Sequence, residues 1–351
     1  MSPLPLKAEI IKIPLADGGD GMLRIIVEAK GGKTYKKQVT GPLGTPIDAE
    51  YGILLDNTVV IELAKISGLS LLPKELRTPT KTTTYGVGEM IKIAIQGGVK
   101  KILIGVGGSA TCDGGAGILA ALGIKFVNKE GKCFIPVGGT LNLIKEVGVI
   151  HKLPLPEIVV LSDVTNPLLG TDGTAKVYAP QKGASEKQVE LLEQGLTHFC
   201  NLMGGENIAQ KTGMGAGGGV PFGLSLIGAK IVMGTKFIME LVNFETKARD
   251  ANLIITGEGE ISENTKYGKV VWEVIQFGKS HQIPVMIIVG NIKKGVNNCY
   301  IQGRNKIFSL TNDKISQEYS ISHTPELLQT TAEKIGKLLQ GERSRDLVST
   351  P

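Results

Sequence analysis

Aromatic residues are scarce, at 5% of the 351 residues, with a single tryptophan. The basic residues are scattered, with only short pairs at 36–37, 100–101 and 293–294. A nucleic-acid surface needs basic residues clustered and interleaved with aromatics, so a nucleic-acid partner is excluded as an expectation. The four cysteines, Cys112, Cys133, Cys200 and Cys299, form no C-x-x-C pair, and none has a histidine at metal-ligand spacing. They read as reduced thiols and exclude a disulfide framework or a zinc ribbon. The four histidines, His151, His198, His281 and His323, stand isolated, and no Ser-His-Asp set is visible, which removes acyl transfer. No apolar run approaches the ~20 residues of a membrane span. The opening "MSPLPLKAEII" lacks the pattern of a signal peptide. The expected compartment is therefore the cytoplasm, with no membrane partner.

Glycine, by contrast, is abundant, at 47 residues. It occurs without low-complexity repeats, the mark of many tight loops with close backbone approach. The net charge of +6 suits an anionic small substrate. The length allows two domains, at ~150 residues each.

The pattern along the chain alternates helix and strand. Residues 9–15, "EIIKIPL", read as a buried strand, followed by the loop "ADGGDG" and a helix over "MLRIIVEAKGG". Three extended runs follow, "KTYKKQVT", "AEYGILL" and "TVVIELA". Then "TTTYGVGEMIKIAIQGG" reads as a helix, "KKILIGV" as a strand and "ILAALGI" as a helix. The same rhythm returns over "DANLIITGEGE", "KVVWEVIQFGKSHQI", "PVMIIVGN", "NKIFSLTND" and "TPELLQTTAEKIGKLLQ". The expected fold is α/β, with two α/β domains. One is Rossmann-like with a parallel sheet and is built from residues 1–30, 78–130 and 245–351. The other, residues 31–77 and 131–244, is inserted into it.

Five glycine-bearing loops carry oxygen or cationic side chains. The densest is "GVGGSATCDGGAG", residues 105–117, between a strand and a helix. Open α/β sheets bind ligands at such strand ends. The amides of Gly107, Gly108, Gly114 and Gly115 can cradle an anion, helped by the helix N-terminus. Ser109 and Thr111 add hydroxyls, and Asp113 adds a carboxylate able to hold Mg²⁺. The competing reading is a tight turn with Asp113 as helix cap. The loop fails the Walker pattern because no lysine follows the glycines. Gly105, Gly107 and Ala110 satisfy G-x-G-x-x-A, and Gly213, Gly215 and Gly218 match G-x-G-x-x-G. Neither has the strand and acidic residue of a dinucleotide site.

The other four loops are individually modest. "LADGGDG" places Asp17 and Asp20 around Gly18 and Gly19. "SDVTNPLLG" puts Asp163 at a strand end with Asn166 after it, where a catalytic acid or an Asx-turn fits equally. "PQKGAS" offers Lys182 and Gly183 as a phosphate site or an ordinary helix start capped by Ser185. "ITGEGEISENTKYGK" offers Glu258, Lys266 and Lys269, or a plain βα loop. Together they suit phosphate plus a divalent metal.

These strings, with "TGPLGTPIDAEYGIL" and "TTTYGVGEMI", occur in one order over residues 9–340. In them the sequence resembles the bacterial glycerate kinase family. The resemblance implies two α/β domains with the site in the cleft between them, and transfer of the ATP γ-phosphoryl group to a hydroxyl of D-glycerate with Mg²⁺. It implies Asp163 as the base or, with Asp113, as a metal ligand. The 107–115 loop would hold either the ATP phosphates or the glycerate carboxylate. Members of the family usually begin with a strand, a P-D-S-F-K-G-S loop and a helix. No "DSFKGS" occurs in this sequence, which starts close to the second strand. The expectation is a truncated or late-started reading of a kinase. The alternative is a catalytically weak or inactive relative that only binds nucleotide or a small organic acid. The sequence leaves open the 2- or 3-phospho product and the oligomeric state.

Overall fold

The structure is a computed structural model, and it describes residues 8–149, 154–261, 269–293 and 305–346. The chain forms two compact units, one from Pro14 to Val242 and one from residues up to Ile13 together with Asn243 onward.

The larger unit is built on a six-stranded sheet in the order β1-β2-β3-β4-β8-β9. Its first half is a meander: β1 (Gly32–Thr40) pairs antiparallel with β2 (Pro46–Leu54), and β2 pairs antiparallel with β3 (Thr58–Glu62). Its second half is parallel: β3 pairs with β4 (Lys101–Gly105), β4 with β8 (Glu157–Leu161), and β8 with β9 (Lys230–Val232). The parallel strands read as continuous apolar runs because both faces are covered. α1 (Met22–Lys30), α2 (Ala64–Ser67), α3 (Tyr85–Gln96) and α4 (Ala116–Ala121) belong to this layer. Val87, Met90 and Ile91 of α3 cluster with Ile61, Ile102, Ile104 and Val160 of the sheet. A second core lies around the small sheet of β5 (Ile124–Val127), β6 (Cys133–Phe134) and β7 (Glu146–Val149). There Phe126, Phe199 and Phe222 stack edge to face at 6.0 and 5.9 Å. Phe199 comes from α6 (Glu186–Leu202), whose Leu192, Leu196, Phe199 and Cys200 repeat at helical spacing and are all buried. α5 (Thr174–Tyr178), α7 (Glu206–Ala209), α8 (Val220–Ser225) and α9 (Gly234–Leu241) complete the unit.

The second unit carries a three-stranded parallel sheet of β10 (Ile254–Ile261), β11 (Val285–Ile292) and β12 (Lys306–Ser309). Its helices are α10 (Phe244–Ala248), α11 (Val270–Ser280), α12 (Gln317–Ser322) and α13 (Thr324–Asp346).

Two expectations change. The strand β4, placed by the sequence in a different domain from β2 and β3, is hydrogen-bonded into one sheet with them. Residues 78–130 therefore group with 31–77 and 131–242, and the unit boundaries fall at residues 13/14 and 242/243. Residues 9–15 form no strand: the backbone is irregular, with Ile10 78% and Ile11 56% exposed. An apolar run becomes a strand only when a neighbour completes its ladder, and none pairs with it among the described residues.

Candidate active site

The C-terminal ends of β3, β4 and β8 lie level, with Glu62 opposite Gly105 and Gly105 opposite Leu161. The 15–21 loop is laid across them backbone to backbone. A Cβ on Gly18 would lie 2.7 Å from the Leu161 carbonyl oxygen, and one on Gly107 would lie 2.6 Å from the Gly19 Cα. Much of the glycine in these loops is thus spent on close approach between segments.

Asp163 follows β8 by two residues and is 6% exposed. Its Oδ2 accepts from the Thr235 hydroxyl at 2.6 Å and from the Thr235 N–H at 2.9 Å. Its Oδ1 accepts the longer 3.2 Å branch of that N–H, and the Gly234 N–H is a further backbone donor to the carboxylate. Burial lifts its pKa to about 7, the Thr235 bonds pull it down, and the charge of Asp17 adds to the rise. Asp17 itself is exposed, and its Oδ1 accepts from the Gly19 N–H at 3.1 Å. Thr235, 72 residues away in sequence, had no local signal marking it.

The helix ends beside these loops are filled from within. At the start of α1, Glu62 accepts from the Gly21 N–H at 2.9 Å and the Leu23 N–H at 3.1 Å. Burial raises its pKa and those two amides oppose the rise. At the start of α4, Asp113 accepts from the Gly115 and Gly117 amides at 3.1 and 3.3 Å, and from the Thr84 amide and hydroxyl at 2.8 Å each. It is fully buried, and burial raises its pKa against those four donors. Asp113 thus sits as the cap of that helix start, its Oδ2 taking three donors and its Oδ1 one, the reading that competed with Mg²⁺ ligation in the sequence. Gly114 and Gly115 likewise line a helix start whose amides are already taken, so the anion cradle does not lie at that helix end.

What remains open is the crest of the loop. Gly107 is half-buried and Gly108 exposed, and among the described residues the N–H groups of Gly108 and Ser109 have no protein acceptor. Lys182, which the sequence offered as a phosphate site or as part of a solvated helix start, is 4% exposed and donates to Ser109 Oγ and to the Thr111 carbonyl at 2.7 Å each. Gly183, beside it, has φ +95° and packs on the Arg77 carbonyl. The Thr111 hydroxyl is buried without a partner. Asn166 is a structural tie: its side chain donates to the Asp172 carbonyl at 2.8 Å and accepts from the Tyr178 hydroxyl at 2.6 Å.

Glu258 and Lys269 belong to the second unit. Glu258 sits inside β10, opposite Val289, and its carboxylate lies 3.8 Å from the Lys269 ammonium. Lys266, His151 and Cys299 lie outside the described residues.

Two carboxylates, a crest of free amides and a buried ammonium thus lie at the ends of parallel strands, where open α/β sheets bind ligands. Residues 3–340 match the model of the glycerate kinase family. The chain belongs to the glycerate kinase family. It is 36% identical over 349 residues to a glycerate kinase of Bacillus subtilis (strain 168), covering 97% of this chain and 91% of that protein. It is 37% identical over 311 residues to a glycerate 2-kinase of Escherichia coli (strain K12), covering 86% and 82%. A crystal structure provisionally described as glycerate kinase 2 from Salmonella typhimurium LT2 superposes with a TM-score of 0.74 at 34% identity, over 96% of this chain and 91% of that one. No described helix is long and apolar enough to cross a membrane.

Proposed function

We propose that this member of the glycerate kinase family transfers the γ-phosphoryl group of ATP to the C2 hydroxyl of D-glycerate, with Asp163 as the base. The observation that carries the reading is the state of Asp163. A carboxylate lifted to about 7 is half-ionised near neutrality, where a general base is most effective. Thr235 fixes its Oδ2, which leaves Oδ1 as the oxygen that accepts the substrate hydroxyl proton. Phosphoryl transfer asks little else of the protein than placement and charge stabilisation. The choice of C2 rests on the name of the Escherichia coli relative.

The donor set fits Mg²⁺. Asp17 and Asp20 are exposed hard-oxygen ligands, and Asp20 Oδ2 would lie 3.4 Å from a Cβ on Gly108. A phosphate on the crest would sit among carboxylates and needs a cation between. Mg²⁺ is usually held by one or two carboxylates, with phosphate oxygens and water completing the shell. When bound, it neutralises charge on the phosphates. No described cluster of three or more His, Cys, Asp or Glu side chains offers an all-protein metal cage. The Gly108 and Ser109 amides and the Ser109 hydroxyl take an oxyanion.

The test is ADP release from the full chain. Release that requires ATP, Mg²⁺ and D-glycerate together supports the reading. Binding of nucleotide or glycerate with no turnover would replace it with the binding-only alternative.

A further inference from the structure

The ammonium of Lys182 has no carboxylate at ion-pair distance among the described residues. Two of its three N–H groups are used, on a hydroxyl and a carbonyl. Two titratable groups face it, Cys112 and Asp113. Burial pushes the Cys112 thiol up to about 12, so it is neutral. Asp113 favours the charged form of Lys182 through space but gives it no hydrogen bond, its oxygens being engaged by Thr84 and two amides. A buried ammonium without a partner is costly, and a fold seeking only stability would place an apolar side chain there.

The lysine lies directly behind the crest. Because Ser109 Oγ accepts from Nζ, its own O–H proton is turned away from the lysine. The Gly108 and Ser109 amides point to no protein acceptor, and the Thr111 hydroxyl is unpartnered. Donors without acceptors, backed by a positive charge, call for an anion.

We propose that Lys182 is a positioning residue for oxyanion binding. It sets Ser109 as a donor from behind the loop and places a positive charge behind the oxyanion, phosphate or carboxylate, that occupies the crest. The proposal rests on the phosphoryl-transfer reading for the identity of that anion. Burial holds free Lys182 at about 8. A nearby anion favours the charged form, so binding near pH 8 takes up a proton.

The experiment is calorimetry of the full chain with D-glycerate and, separately, with MgADP, at pH 8 in Tris and in HEPES. The two buffers differ in ionisation enthalpy, which reports protons exchanged. One of the two ligands is expected to take up roughly half a proton per site, and that ligand is the one on the crest. Its affinity should fall about fivefold between pH 8 and pH 9, and Lys182→Arg should remove both effects while still binding. Ser109→Ala should weaken the same ligand about tenfold and leave the other unchanged. Binding of both ligands without proton exchange overturns the role of Lys182 and leaves the kinase reading intact. Failure of both to bind overturns that reading, and the role of Lys182 with it.

Discussion

Thr235 holds one oxygen of Asp163 with both of its donors, the hydroxyl at 2.6 Å and the backbone N–H at 2.9 Å. The pair joins the residues after β8 to the start of α9, so the base is set by two elements of one unit. Thr235→Val removes the shorter bond while keeping the shape. The expected result is a fall in kcat of about tenfold with little change in KM, measured by steady-state ADP release. Equal kcat for Thr235→Val and the wild type would show that Asp163 needs no such support.

Asp163 also has a stability signature that is independent of turnover. Its folded pKa, about 7, lies above the ordinary aspartate value of 3.8, so folding favours the protonated form. The contribution of Asp163 to stability is therefore present below about pH 4 and is lost as pH rises to about 7. Asp163→Asn keeps an acceptor for the Thr235 N–H and removes the buried charge. In metal-free buffer it should melt a few degrees higher than the wild type at pH 8, with the gap closing toward pH 4. Thermal melts across that range check it. A gap that does not change with pH would mean that the carboxyl is not perturbed.

Glu62 replaces water or ligand at the start of α1. Glu62→Gln keeps one acceptor oxygen for two amides, Gly21 and Leu23, that are now both satisfied. Leaving one unpaired costs about 1–2 kcal/mol and lowers Tm by several degrees. Glu62→Gln with unchanged Tm would show that the cap is dispensable.

Gly107→Ala places a Cβ against the Gly19 Cα and forces the two loops apart. A destabilisation of about 1–3 kcal/mol and a loss of activity are expected. Gly148→Ala is the control: its Cβ would meet only Lys125 Cβ at an ordinary 3.8 Å, so activity should be unchanged. Denaturant melts and ADP release on the pair check both.

Periodicity made most of the fold legible. The helices α1, α3 and α11 and the strands β3, β4, β8, β10 and β11 fall where apolar spacing and Gly, Thr or Ser boundaries place them. Asp163 was legible too, as an acid at the end of an apolar strand. Asp113 as a helix cap was one of two readings the sequence offered, but its tie to Thr84, 29 residues away, was not legible, nor was the role of Glu62, whose partner Gly21 is 41 residues away. An acidic residue beside glycine reads the same whether it faces a metal or caps a helix. For Lys182 two readings stood open, a phosphate site and a solvated helix start, because composition does not show which side of a turn faces the core. Residues 9–15 show that an apolar run states a preference for burial without naming a partner.

The central claim is that this chain phosphorylates D-glycerate at C2 with Asp163 as base. ³¹P NMR of a reaction containing ATP, Mg²⁺ and D-glycerate tests it most directly, run side by side on the wild type and Asp163→Asn. The expected result is a 2-phosphoglycerate signal from the wild type and at least ~10² slower formation by the variant. No phosphoglycerate from the wild type, a 3-phospho product, or a variant slowed less than tenfold would contradict it.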